Sequence, residues 1–165
     1  MEVINSLRGR NSNYRINSLP YAVANIKGSK SHSRIKGKVK FYPWKDGSIV
    51  KVEIMDLPTV NKNNFFGFHI HEGSKCVEEE GKPAFESVGG HLNIEKDEHP
   101  QHVGDLPLLY SNNGYAYMEF FTNRFTPNEV ISHTVIIHEH KDDLMTDPAG
   151  NSGNRIACGE IVRFR

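Results

Sequence analysis

The 165-residue sequence lacks several features that would place it in common classes of protein. No apolar run approaches the roughly 18 residues of a membrane-spanning helix, so we expect no membrane span. The first twenty residues contain no apolar core of a secretory signal, and we expect no such signal in this sequence. There are only two cysteines, Cys76 and Cys158, which allow a free pair, a redox couple or one disulfide.

Net charge is also absent, because 20 Lys and Arg balance 20 Asp and Glu. The charge is uneven, however, and residues 1–40 carry nine Lys and Arg against one Glu, a net charge of +8. Basic arms can bind polyanions. Lys36, Lys38 and Lys40 nevertheless alternate with apolar or small residues, as on the solvent face of a strand, and we favour that interpretation. We therefore expect no nucleic-acid partner. Residues 1–18 are polar and aperiodic, and we expect a flexible extension there, followed by one domain over 19–165.

Alternation of apolar and polar residues runs through most of this domain and predicts about eight short antiparallel strands. The turn at 111–114 contains Asn-Gly, which tolerates the positive φ of a tight hairpin. Apolar residues rarely recur at helical spacing, so we expect an all-β sandwich or barrel. The predicted strands are 21–27, 35–41, 49–54, 65–71, 106–110, 115–121, 134–140 and 155–164.

Two connections, residues 72–105 and 141–154, are longer than ordinary loops, and loops of that length are usually functional. The first contains most of a histidine cluster. On a strand over 65–71, alternation places His69 and His71 on one face about 7 Å apart, with Phe66, Phe68 and Ile70 facing the core.

A lone histidine is more often structural than a metal ligand, but two adjacent imidazoles form half of a copper or zinc site. The run His99-x2-His102-x2-Asp105 supplies further nitrogen and oxygen ligands, and zinc takes such ligands tetrahedrally. His91 lies just upstream. We therefore predict a metal site in this part of the chain.

His138 could complete a set of four nitrogens, which copper(II) prefers. Alternation puts His140 on the same face, so His140 competes for that role, whereas His32 and His133 have no motif around them. Asp142 could orient metal-bound histidines by accepting their second N–H, or could be a loop carboxylate in water. Arg155 is either a surface cation or a binder of a small anion beside an open metal position.

The segments GFHIHE, GGHLN, HPQHVGDLP, HEHKDD and GNSGNRIACG together resemble the copper–zinc superoxide dismutases, and the compact His-Pro-x-His segment is nearest to their bacterial branch. The resemblance covers about residues 20–165. It implies an eight-stranded antiparallel Greek-key β-sandwich or barrel, of immunoglobulin-like architecture, with two long functional loops. The implied substrate is superoxide, and the implied cofactors are copper and zinc. A homodimer is one assembly that we consider for the chain.

The resemblance also implies roles for individual residues. His91 would bridge the two metals as a catalytic residue, Arg155 would guide the anion, and Asp142 would link His69 to His99. Cys76 and Cys158 would form a disulfide. The implied copper ligands are His69, His71, His91 and His138, and the implied zinc ligands are His91, His99, His102 and Asp105.

Two other functions compete with dismutation of superoxide. One is a copper-binding or zinc-stabilised protein without activity, although copper(I) carriers more often use thiolate and thioether ligands. The other is a zinc hydrolase, although four protein ligands would close the zinc site to water.

Overall fold

The computed structural model describes residues 19–59 and 64–165, so the predicted extension over 1–18 lies outside the described residues. In the described part the helical segments are two 3₁₀ turns, Lys30–His32 and Glu86–Val88. None of its helices is long and apolar enough to cross a membrane. The nine strands are β1 (Ala22–Gly28), β2 (Lys36–Trp44), β3 (Gly47–Met55), β4 (Phe65–Phe66), β5 (Phe68–His71), β6 (Leu109–Tyr110), β7 (Ala116–Thr122), β8 (Thr134–His138) and β9 (Arg155–Arg163).

Seven strands form one antiparallel sheet in the order β5-β8-β9-β1-β2-β3-β7, and β4 pairs with β6 in a small second sheet. The small sheet connects the two edges of the large one, because only Gly67 separates β4 from β5 and a tight turn separates β6 from β7. That turn has positive φ at Asn113 and Gly114, as the Asn-Gly pair predicts. The predicted all-β architecture is confirmed, and the curled antiparallel sheet is a Greek-key barrel.

Three predicted strands are interrupted or shortened in the structure, whereas the ends of the other five differ from the prediction by at most three residues. The strand over 65–71 is interrupted at Gly67, whose N–H donates to the His140 carbonyl at 2.7 Å instead of to a ladder partner. The strand over 106–110 shrinks to Leu109–Tyr110, in keeping with Pro107, which has no N–H to donate. The strand over 134–140 ends at His138, after an irregularity in its pairing with β9.

Alternation on β2 shows how the sequence builds the core. Val39 and Phe41 are fully buried, whereas Lys36 and Lys38 are exposed, which confirms the interpretation of these lysines as the solvent face of a strand. The largest fully buried side chains, Phe41, Phe66 and Phe68, belong to one apolar cluster with aliphatic residues from β1, β3 and β9. The strands therefore surround an apolar interior, and most of both long loops lies outside it.

A disulfide joins Cys76 in the 72–105 connection to Cys158 on β9, across 82 residues of sequence. Glu160 reinforces the same attachment, because its carboxylate accepts hydrogen bonds from Lys75 Nζ at 2.8 Å and from the Cys76 N–H at 3.2 Å. The first part of the long connection is thus fixed to the barrel wall.

We expect the double variant Cys76→Ser/Cys158→Ser to lose about 4 kcal/mol of unfolding free energy, because an unfolded chain without the bridge regains the entropy of an open loop of this length. Urea unfolding with and without reductant measures the loss. Reductant should lower the stability of the parent protein toward that of the variant and leave the variant unchanged. Equal stability of the two proteins under oxidising conditions would contradict the expectation.

Candidate metal centre

The 72–105 connection returns to β5 twice, and each return places a potential ligand opposite a strand histidine. Isolated backbone bridges pair His71 with His91 and His69 with Asp105. Hydrogen bonds from Ile70 N to Gly104 O at 2.9 Å and from Leu92 N to Ile70 O at 2.8 Å hold these returns. Glycine is required at 104, because a Cβ there would collide with the Ile70 carbonyl. Backbone pairing therefore extends the precision of the strand to loop residues.

Two groups of side chains result, and each group has its potential ligand atoms within 4.8 Å of one another. His91 belongs to both groups. All six histidines are buried, with at most 5% of each residue exposed. The first cluster is His69, His71, His91 and His138, and the second cluster is His91, His99, His102 and Asp105.

In the first cluster, the outward-facing ring nitrogens of His69, His71 and His138 are hydrogen-bonded. These bonds define which nitrogen of each ring carries the proton. His69 Nε2–H donates to Asp142 Oδ2 at 2.7 Å, His71 Nδ1–H to the Gly89 carbonyl at 2.9 Å, and His138 Nδ1–H to the Gly153 carbonyl at 3.2 Å. A neutral imidazole has one N–H and one lone pair, so the remaining nitrogens carry lone pairs. These are Nδ1 of His69 and Nε2 of His71 and His138.

The lone pairs of the first cluster converge without a proton between them. His71 Nε2 and His138 Nε2 lie 3.3 Å apart, although both rings have donated their only N–H elsewhere. His69 Nδ1 and His91 Nε2 are buried and have no hydrogen-bond partner among the described residues. Buried polar atoms are rarely left in this state, and a cation bound between four nitrogens would satisfy all of them.

The second cluster surrounds the carboxylate of Asp105. Its oxygens lie 2.7 Å from His91 Nδ1, 3.1 Å from His99 Nδ1 and 3.2 Å from His102 Nδ1. Nδ1 of His99 and Nδ1 of His102 have no hydrogen-bond partner in the part of the chain that is described. Three imidazole nitrogens and one carboxylate oxygen form the closed tetrahedral donor set that structural zinc takes.

Asp142 connects the two clusters from behind. Its Oδ1 accepts from His99 Nε2–H at 2.8 Å, while Oδ2 accepts from His69. Gly150 makes room for this arrangement, because a Cβ at that position would collide with the Asp142 carboxylate. Of the two interpretations of Asp142, the structure thus favours the orienting carboxylate over a solvated one, since the residue is only 4% exposed.

The pKa values of the first cluster favour neutral rings. Burial lowers the pKa of His69 to about 4 despite its bond to Asp142, and burial with the neighbouring His69 lowers the pKa of His138 to about 3. Burial also holds the pKa of His71 well below its ordinary value. Burial alone would raise the pKa of Asp142, but hydrogen bonds from His69, Leu144 N–H and His99 outweigh it and lower that pKa. At neutral pH His69, His71 and His138 are therefore uncharged imidazoles, the form that binds metals.

Arg155, the first residue of β9, is half-buried and donates hydrogen bonds to a backbone segment beside the first cluster. Nη1 donates to the carbonyls of Phe85 at 2.7 Å and Glu86 at 3.1 Å, and Nη2 donates to Gly89 O at 2.6 Å. The Gly89 carbonyl also accepts from His71, so Arg155 and His71 share an acceptor. This environment differs from that of an ordinary surface cation.

The structure brings together every residue that the sequence assigned to the clusters and excludes His140. The pairing of β8 becomes irregular at His138, so strict alternation fails there and His140 is exposed beside Gly153. Gly89 and Gly150 are functional positions that the sequence alone did not predict. A glycine-rich segment before Arg155 was the available signal for Gly150, whereas the role of the Gly89 carbonyl depends on side chains distant in sequence.

Comparisons with known proteins agree with this geometry. The model of the copper/zinc superoxide dismutase family matches residues 35–161. The chain is 32% identical over 154 residues to superoxide dismutase (Cu-Zn) 1 of Aquifex aeolicus strain VF5, covering 84% of each chain. It is 38% identical over 108 residues to superoxide dismutase (Cu-Zn) of Escherichia coli strain K12, covering 58% of this chain and 62% of the relative.

Solved structures share the fold. The Cu/Zn superoxide dismutase from Brucella abortus matches with a TM-score of 0.71 at 24% identity, over 84% of this chain and 98% of that one. A double mutant of a SOD-like protein from Bacillus subtilis also matches with a TM-score of 0.71, at 28% identity, over 85% of this chain and 96% of that one.

The lowered histidine pKa values predict that acid destabilises the metal-free chain. The folded pKa values of about 4 for His69 and about 3 for His138 lie below the ordinary 6.5, so the unfolded state binds more protons between these limits. Stability should fall as pH drops from about 6.5 toward 4, by up to about 1.4 kcal/mol per pH unit for each histidine. Urea unfolding of chelator-treated protein at several pH values measures this slope.

His138→Gln should reduce that slope, because the variant lacks one of the three buried histidines whose pKa is lowered. His140→Gln removes an exposed histidine outside both clusters and is the matched control. A parent protein whose unfolding free energy stays constant from pH 6.5 to 4 would contradict the assignment of neutral buried rings.

Proposed function

The chain belongs to the copper/zinc superoxide dismutase family, and we propose that the first cluster holds its copper and the second cluster its zinc. The enzyme converts superoxide to dioxygen and hydrogen peroxide, and its cofactors are copper and zinc. The observation that carries the residue assignment is the convergence of unpartnered imidazole nitrogens on two points that share His91. The proposed copper ligands are His69, His71, His91 and His138, and the proposed zinc ligands are His91, His99, His102 and Asp105.

Bound copper supplies the one-electron redox couple that dismutation of superoxide requires. The chain's own residues provide orientation. Asp142, Gly89 O and Gly153 O each accept the outer N–H of one ring, which fixes the tautomer and directs the other nitrogen inward. Those three acceptors make the donor set rigid before any ion binds.

His91 is the residue we assign to proton handling. Its Nδ1 lies 2.7 Å from Asp105 Oδ1 and faces the second cluster, whereas its Nε2 faces the first cluster. A proton at Nε2 would lie next to the position where superoxide is reduced. Because Nε2 has a single lone pair, it would hold either the copper or a proton at one time, and Nδ1 would stay on the side of the second cluster in both cases.

Arg155 is the residue we assign to guiding the anion. Its three carbonyl contacts use three of the five guanidinium N–H donors and leave two for other acceptors. Burial accounts for most of the low pKa of His71 and His138, and the positive charge of Arg155 contributes to both, so its field reaches the first cluster. The same field attracts a small anion such as superoxide.

A metal-binding protein without activity is the less favoured alternative, because the first cluster has a histidine at each of its four positions. The homodimer remains a prediction.

His138→Ala tests the assignment of the two clusters. The variant should lose copper and dismutase activity and keep about one zinc per chain, because His138 belongs to the first cluster only. His140→Ala is the matched control and should keep both metals and full activity. Elemental analysis together with a superoxide-consumption assay provides the measurement, and equal loss of both metals from His138→Ala would refute the division into two clusters.

Arg155 variants test the anion guide. Activity per bound copper should decrease in the order Arg, Lys, Glu, because Lys keeps the charge without the planar fork and Glu reverses the charge. Activity is expressed per bound copper because Arg155, although it supplies no ligand, shares the Gly89 carbonyl with His71, so its replacement also lowers copper content. Azide should bind more weakly to the Glu variant, as measured by optical titration.

Arg163→Glu is the control for net charge. Arg163 lies at the other end of β9, about 26 Å along the strand from Arg155, so the same change of charge should have little effect there. Equal activity of the parent protein and its Lys and Glu variants at low ionic strength would favour the interpretation of Arg155 as a surface cation.

A further inference from the structure

The segment from His99 to Asp105, here called the 99–105 loop, carries three proposed zinc ligands but has strand pairing only at its end. Gly104 is paired with Ile70 and Leu92, which anchors Asp105. At the other end, the His99 N–H donates to Asp147 Oδ1 at 2.7 Å. Between these anchors the backbone bonds are local, as in the bond from Asp105 N to His102 O at 3.1 Å. The middle of the loop therefore needs support from outside.

Arg124 reaches the middle of the loop from the barrel. Its Nη1 lies 3.1 Å from the Pro100 carbonyl and 3.0 Å from the His102 carbonyl, with a longer contact of 3.5 Å to the Asp105 carbonyl. Two of these three carbonyls belong to proposed zinc ligands. One guanidinium group thus contacts the backbone on both sides of His102.

The backbone that carries Arg124 is fixed. Arg124 lies two residues after the end of β7, and its N–H donates to Thr122 Oγ1 at 3.2 Å. The next residue, Phe125, is 2% exposed, stacks edge-on against Phe41 at 6.3 Å, and accepts a hydrogen bond from Ser48 Oγ at 2.9 Å. Arg124 therefore transmits the rigidity of the barrel to the loop.

We propose that Arg124 is a positioning residue for the zinc side of the centre, holding the 99–105 loop so that His102 and Asp105 face the ion. This inference rests on the proposed function. The other cluster has a similar arrangement, because Arg155 at the start of a strand contacts three carbonyls of the segment that ends at Gly89. An arginine at the end of a barrel strand thus braces the ligand-bearing loop on each side.

The test compares Arg124→Gln and Arg124→Lys with the parent holoenzyme and with Arg163→Gln as the control for loss of a surface charge. The first measurement is the rate of zinc release to a chromophoric chelator under native conditions. The second is the visible absorption spectrum after cobalt(II) replaces zinc, which reports the geometry of the four ligands. Near-ultraviolet circular dichroism verifies that each variant is folded.

We expect Arg124→Gln to release zinc about tenfold faster, since loss of an outer-shell partner typically weakens metal binding by that factor or more. The cobalt spectrum should shift, and Arg124→Lys should restore part of both properties because its ammonium can still donate to the two nearer carbonyls. Arg163→Gln should match the parent protein. A merely structural role would lower the stability of the metal-free chain without altering zinc release or the cobalt spectrum.

An Arg124→Gln protein with the parent's release rate and cobalt spectrum would overturn the inference. If that variant does not fold, Arg124→Lys decides, and a folded Lys variant with the parent's spectrum and release rate would likewise overturn it. Failure of the proposed function would look different, since the parent protein itself would then bind no zinc.

Discussion

The link from His69 through the Asp142 carboxylate to His99 is the interaction on which the rest of the centre depends. His69 lies on β5 in the barrel wall, His99 lies in the 72–105 connection, and Asp142 lies in the loop after β8. One buried carboxylate therefore connects the strand to both long loops. Because each of its oxygens accepts an N–H from a different ring, Asp142 fixes two tautomers at once and directs Nδ1 of each ring toward a different cluster.

Such a centre is unfavourable for the polypeptide alone. Four histidine nitrogens are buried without a partner among the described residues, and two further lone pairs face each other at 3.3 Å. Leaving buried polar groups unpaired raises the free energy of the folded chain. The surrounding barrel and the disulfide must offset this cost. A bound cation reverses the sign of this contribution, because each converging lone pair then becomes a ligand. The same feature thus destabilises the empty chain and gives the occupied centre its affinity.

The sequence predicted the positions of site residues that lie on regular backbone and could not decide the positions of those on irregular backbone. Alternation on a strand placed His69 and His71 correctly, because the side-chain period of a strand is fixed by its geometry. Alternation could not separate His138 from His140, because the irregular pairing at His138 depends on how β8 meets β9. The family resemblance implied the pairing of Cys76 with Cys158 and the link from Asp142 to His69 and His99. The residues alone left Asp142 as either an orienting carboxylate or a solvated one. Arg124 had no sequence signal, since its acceptors are backbone carbonyls, which every residue possesses.

The two loops are long, yet each is attached at several points to the strands of the barrel or to the other loop. The disulfide and Arg155 hold the part before His91, Arg124 holds the 99–105 loop, and Asp142 joins both loops to β5. His91 lies between these attachments and belongs to both clusters. A displacement of one cluster therefore moves the His91 ring and changes the position of a ligand in the other cluster. Coupling of this kind is reciprocal: whatever orders the second cluster favours binding at the first, and the reverse holds equally. On the proposed assignment of the metals, the second cluster therefore contributes to the chemistry at the first through its hold on His91, without contacting the substrate.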